Sequence, residues 1–83
     1  MRKSTRKAGS KTSINWVAVG RRIRELRGFD ITQAEFASRI GVTQGHLSVI
    51  ERGETEPGAA VLLAISREFG KSVDWLLTGE GKK

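Results

Sequence analysis

The chain has 83 residues, no cysteine, and a net charge of +6 from 15 Lys and Arg against nine Asp and Glu. That length allows one small domain, and the lack of cysteine excludes disulfides and zinc–thiolate sites. No apolar run approaches the ~20 residues that cross a bilayer, and the basic start has no apolar stretch behind it to make a secretory signal, so no membrane association and a cytoplasmic location are expected.

The charge is uneven. Residues 1–13 hold Arg2, Lys3, Arg6, Lys7 and Lys11 and no acid. Taking those five from +6 leaves +1 for the remaining residues. The segment is rich in Lys, Arg, Ser, Thr and Gly and has no hydrophobic period, which predicts a disordered basic arm. Such an arm suits a polyanion, whose binding is driven by counterion release. The alternative is a solvated leader without a ligand.

A first helix is expected from Asn15, its cap, to about Arg27, with Val19, Ile23 and Leu26 at helical spacing. Gly28 and Asp30 break it, and Phe29 and Ile31 are expected to be buried in the connection. Thr32 and Thr43 are suited to cap a second and a third helix, because a hydroxyl accepts the unpaired N–H groups of a first turn. Phe36, Ala37 and Ile40 give the second helix its apolar face, and Leu47 and Ile50 serve the third. Gly41 supplies the positive φ of the tight turn between them. The loop at residues 53–58 contains Pro57, which favours a helix start. A fourth helix is expected over about residues 58–69, with Ala59, Leu62, Leu63, Ile65 and Phe69 inward and Gly70 ending it. Ser72 caps a fifth, closed by Gly79. The expected layout is an arm at 1–13, a domain at 14–79 and a polar tail at 80–83. Five short helices without a strand predict a compact all-α five-helix bundle.

The third helix leaves Gln44, Gly45, His46, Ser48 and Val49 without core duty. A short helix held by its neighbours with one face spare fits the major groove of B-DNA, where base edges carry a distinct donor and acceptor code. Gln44 has the two groups that pair with adenine. Ser48 can reach a base or a phosphate, and Val49 a thymine methyl. His46 stands without a second His, a Cys or clustered carboxylates, so it is either a DNA contact or a plain exposed residue. Gly45 offers no side chain and costs ~1 kcal/mol of helix stability against Ala.

From about Arg22 to Gly79 the chain resembles the Xre family of Cro and phage-repressor type helix-turn-helix proteins. The matching pieces are RIRELR, ITQAEFASRIGVTQGHLSVIERG, a Pro before the fourth helix, and FGKSVDWLLTGEG. The resemblance implies a lambda-repressor-like bundle whose third helix, about residues 44–52, enters the major groove, and a regulator that binds a palindromic operator as a dimer. It implies base contact by Gln44, Gly45, His46, Ser48 and Val49, and backbone contact by Thr32, Gln33, Thr43 and Arg52. It also implies that Gln33 and Gln44 can hydrogen-bond each other, and that Arg27 pairs with Glu51 as a structural brace. One departure is the acidic loop, Glu54 and Glu56, where many relatives are basic. Another is Ala60, Val61 and Ala64, which share a face outside the apolar side assigned above. They suit a packing partner. It is either a second subunit or other protein, so that Trp16, Ala60, Val61 and Ala64 form a dimer or partner surface, or the chain's own Ile14–Val17 segment folded back, with Trp16 large enough to fill the groove.

The leading expectation is a sequence-specific transcriptional regulator, a repressor, with double-stranded DNA as partner. The alternative is an antitoxin-like interaction module that binds a protein such as a toxin and autoregulates its operon. An enzyme is not expected, because the chain lacks a phosphate-cradling Gly-rich loop, a nucleophile with a base, and paired carboxylates. No cofactor or metal is expected.

Overall fold

The computed structural model describes residues 13–81. Arg2, Lys3, Arg6, Lys7 and Lys11 lie outside the described residues. Among the described residues there are five helices and no strand: α1 Trp16–Arg27, α2 Gln33–Ile40, α3 Gln44–Glu51, α4 Ala59–Phe69 and α5 Val73–Thr78.

Local chemistry sets the helix starts. The Asn15 side chain accepts from the Ala18 amide at 3.1 Å, Thr32 from Glu35 at 3.1 Å, Thr43 from His46 at 3.1 Å and Ser72 from Trp75 at 3.0 Å. Each bond satisfies an N–H that the first turn leaves unpaired. α4 has Gly58 as its cap and no side-chain bond there. Its entry is fixed instead by Pro57, which is buried.

The helices pack as a closed ring: α1 on α3, α3 on α2, α2 on α4, α4 on α5, and α5 back on α1. Val19 and Ile23, Phe36 and Ile40, Leu47 and Ile50, and Leu62 and Ile65 recur three or four residues apart and point to the centre, where Ala37 and Leu76 join them. Burying each large apolar side chain contributes about 1.5–3 kcal/mol. Phe36 stacks on Phe69 with ring centroids 4.8 Å apart.

Two sequence expectations need correction. Phe29 is not buried in the α1–α2 connection; it is fully exposed, and only Ile31 turns partly inward. α4 is also rotated from the expected face. Val61 and Ala64 pack against the core, whereas Ala59 and Leu63 are exposed. Trp16 packs against the core as well, leaving Ala60 as the exposed member of the expected partner surface. Residues 59–65 are apolar without interruption, so hydrophobic period alone could not choose their inner side.

Two contacts carry no sequence signal of their own. Gly20 lies where α1 crosses the end of α3, and a Cβ there would sit 2.5 Å from the carbonyl oxygens of both Ile50 and Glu51. The two backbones therefore touch. Arg22 donates from Nη1 to the Leu76 carbonyl at 3.0 Å, satisfying a free acceptor at the end of α5.

Two glycine variants test this packing against each other by chemical denaturation. Gly20→Ala is expected to cost about 1–3 kcal/mol, because the added methyl meets backbone that cannot swing away. Gly45→Ala meets nothing within 4 Å and is expected to add up to about 1 kcal/mol through helix propensity. Equal effects would mean that the α1–α3 contact is not tight.

Candidate nucleic-acid interface

α2, the turn and α3 form one unit. Gly41 takes φ 80°, and its N–H and that of Val42 both reach back to the Ala37 carbonyl, closing the end of α2. Thr43 then caps α3 directly. Only Gly41, Val42 and Thr43 separate the two helices, so their relative angle has little freedom.

Four polar side chains tie this unit to α1. Arg27 donates from Nε to Glu51 Oε2 and from Nη2 to Oε1, both at 3.0 Å. Gln33 donates from Nε2 to the same Oε1 at 3.1 Å. Gln44 in turn donates from Nε2 to Gln33 Oε1 at 3.3 Å. The Glu51 side chain is only 6% exposed and that of Arg27 17%, so this bidentate pair is shielded from water as surface pairs are not. The hydrogen bond to Glu51 is the main reason the Arg27 pKa lies above its ordinary value, with burial working the other way.

The chain of bonds has a chemical consequence at its outer end. An amide has two N–H donors and an acceptor oxygen. Gln44 uses one N–H on Gln33 and keeps the other N–H and the oxygen. Those are the two groups that pair with N7 and N6 of adenine. Gln33 is half-buried and Gln44 exposed, so the relay runs from the interior to the surface.

The other expected base-facing positions differ among themselves. Gly45 and His46 are exposed, and the His46 backbone N–H is spent on the Thr43 cap. Val49 and Ser48 are half-buried. Ser48 accepts from Arg52 Nη1. Arg52 also donates from Nε to Glu54 Oε2 at 2.8 Å and from Nη2 to Oε1 at 3.1 Å. This exposed guanidinium, expected on a phosphate, is therefore engaged with its own chain. Pairing with Arg52 holds the Glu54 carboxyl below its ordinary pKa, and the same bond raises that of Arg52. The hydroxyl oxygens of Thr32 and Thr43 accept the capping N–H groups, and both residues remain exposed.

An open cleft of about 350 Å³ runs between α1 and α3, lined by Arg24, Arg27, Gln33, Ser48, Glu51 and Arg52. Arg24 was not singled out from the sequence, where it is one of several arginines along α1. Its place beside Gln33 and Arg52 follows from the α1–α3 packing. No group of three or more His, Cys, Asp or Glu able to hold a metal occurs among the described residues, and no helix among them is long and apolar enough to cross a membrane.

The helix-turn-helix family profile matches residues 21–76. The chain is 37% identical over 65 residues to a propionyl-CoA carboxylase regulator of Cereibacter sphaeroides, which covers 77% of this chain and 14% of that protein. It is 40% identical over 68 residues to repressor protein C2 of Salmonella phage P22, covering 81% of this chain and 32% of that protein. The chain thus spans under a third of the length of these two curated relatives. The crystal structure of the P22 c2 repressor protein in complex with synthetic operator 9T superposes with a TM-score of 0.69 at 41% identity, over 75% of this chain and 96% of that one.

Two measurements test the geometry. Arg27→Ala leaves the Glu51 carboxylate shielded with Gln33 as its remaining partner, and is expected to cost about 1–3 kcal/mol in denaturant unfolding. A cost near zero would mean the brace is ornamental. For Glu54, the pKa is lowered in the folded chain, so the pair is intact above the ordinary carboxylate range and is lost as pH falls through the lowered value. An NMR titration is expected to find the Glu54 midpoint below that of an unpaired glutamate, and Arg52→Gln is expected to return it to the ordinary value.

Proposed function

The chain belongs to the Xre/Cro-type helix-turn-helix family, and on that premise we propose that it is a DNA-binding transcriptional regulator, acting as a dimeric repressor on a palindromic operator. α3 lies in the major groove. Gln44 reads an adenine through the N–H and oxygen left free by its bond to Gln33. His46 and the backbone at Gly45 approach neighbouring base edges, and the α2 N-terminus at Thr32 and Gln33 holds a phosphate.

The observation that carries this reading is the relay Arg27–Glu51–Gln33–Gln44. It aims an amide outward from a half-buried ion pair. A core does not need such a device, and a reader does, since discrimination requires a donor and acceptor fixed before the base arrives. It also explains an acid on a helix meant for a polyanion: Glu51 is neutralised by Arg27 and turned away. The dimer follows from reach. One eight-residue helix covers few base pairs, and two half-sites about 34 Å apart double the contacts. The family is a DNA-binding regulator type and not an enzyme class.

Selection of bound sequences from a random duplex pool tests the reading. Enrichment of an inverted repeat is expected. Gln44→Ala is expected to relax preference at one base per half-site by about 1–3 kcal/mol. Loss of enrichment for the native chain, with binding that disappears at moderate salt, would refute a specific regulator.

A further inference from the structure

The end of α3 carries a contact that neither the core nor the reading of bases requires. Arg52 caps α3 on the wall of the cleft that also holds Gln33 and Ser48. Its guanidinium donates from Nε and Nη2 to the two carboxylate oxygens of Glu54, at 2.8 and 3.1 Å, and from Nη1 to the Ser48 hydroxyl. Three of its five N–H groups are taken. They include the Nε–Nη2 edge, which is suited to grip a carboxylate or a phosphate by two oxygens at once. The side chains of Arg52 and Glu54 are 55% and 56% exposed, so packing does not hold the pair together.

The backbone does. Residues two apart on a helix do not face each other. Arg52 and Glu54 meet because the chain turns at Gly53, where φ is 77°. The Gly53 N–H donates to the Ile50 carbonyl and the Glu54 N–H to the Val49 carbonyl, both at 3.0 Å, which fixes the turn to α3. On its other side a Cβ at Gly53 would lie 2.6 Å from the Val17 Cα, so the loop has no room to move toward α1. Glu54 is thus delivered to Arg52 by a turn held from two directions. Glu56 is exposed in the same loop and has no ion pair among the described residues.

We propose that Glu54 is an internal competitor for DNA phosphate: it keeps the Arg52 guanidinium closed while α3 lies in the groove, and so lowers affinity for every sequence without changing which sequence is preferred. This rests on the reading above. DNA binding is driven by the counterions that phosphates release when a protein cation replaces them, and a cation already paired with its own carboxylate replaces none. Phosphate contacts position a protein and carry no sequence information, so withholding one falls on affinity alone. The affinity that remains depends more on the base contacts of α3, Gln44 foremost.

The test compares the native chain with Glu54→Gln, Arg52→Gln, the double variant Arg52→Gln/Glu54→Gln and, as a control, Glu56→Gln. The control removes the same charge from the same loop without releasing a guanidinium. Anisotropy over a range of salt, with a mixed-sequence duplex and with the sequence enriched from the random pool, gives affinity, its salt slope and the preference between the two. Glu54→Gln is expected to raise the magnitude of the slope by about 0.9 per bound subunit. It is also expected to tighten binding about two- to fivefold per subunit at low salt, the worth of one exposed ion pair, and by more than Glu56→Gln does. The preference for the enriched sequence is expected to stay at the native value. Arg52→Gln is expected to leave the slope near native, and the double variant to lose the gain of Glu54→Gln. Melting curves check that each variant folds, and the substituted side chains are exposed. If Glu54→Gln and Glu56→Gln act alike, or if the gain survives in the double variant, the effect belongs to the charge of the loop and this inference falls. It also falls if Arg52→Gln alone lowers the slope by about 0.9, because Arg52 then already holds a phosphate in the native complex. In each of these cases the regulator reading stands as long as Gln44→Ala loses selectivity. If the native chain binds no duplex, both fall together.

Discussion

α3 is eight residues long, about 12 Å of helix, and a helix of that length does not hold its shape alone in water. Whatever it does depends on being clamped, and the clamp is the contact with α1. At Gly20 the two backbones touch. One α1 turn further on, Ile23 is buried in the core beside Leu47 and Ile50, and at the end of α1 Arg27 reaches Glu51 with two hydrogen bonds. The apolar contacts supply most of the stability. The ion pair supplies direction, because a bidentate guanidinium–carboxylate bond is satisfied in one geometry, and Gln33 and then Gln44 take their orientation from the same carboxylate.

This clamp resolves an electrostatic conflict. A carboxylate on a helix meant for DNA repels phosphate, yet Glu51 is where the interior needs an acceptor for three donors. Burying it beside Arg27 removes its field from the surface. The other arginines divide by the same logic. Arg22 closes α5, Arg39 bridges Glu35 and Glu68, and Arg52 forks onto Glu54. Among the described residues Arg21, Arg24 and Arg67 are in no ion pair, and the first two lie on one side of α1 beside Phe29.

Much of the fold was legible in the residues. Asn15, Thr32, Thr43 and Ser72 announce helix starts because a cap acts on an N–H three residues away, and Gly41 and Gly70 announce ends through the left-handed backbone they adopt. Phe36, Ile40, Leu47 and Ile50 declare their faces through a clear period against polar neighbours. The period fails in α4, where seven consecutive apolar residues offer a hydrophobic side in every direction, and the face chosen from sequence was wrong at Ala59, Leu63, Val61 and Ala64. Phe29, expected inward in the α1–α2 connection, stands fully exposed, while Ile31 of the same connection packs against the core.

The sequence by itself determined the helices, their caps, most of the core and the family, since all of these follow from interactions within about four residues or from motifs in order along the chain. Only the tertiary structure decided which side of α4 faces in, that Gly20 rather than a larger residue must stand against α3, that Arg22 belongs to α5, and that Arg24 and Phe29 lie beside the reading helix. Those contacts join residues up to 54 positions apart. No local rule reaches so far, and the closing of the helix ring brings such residues together.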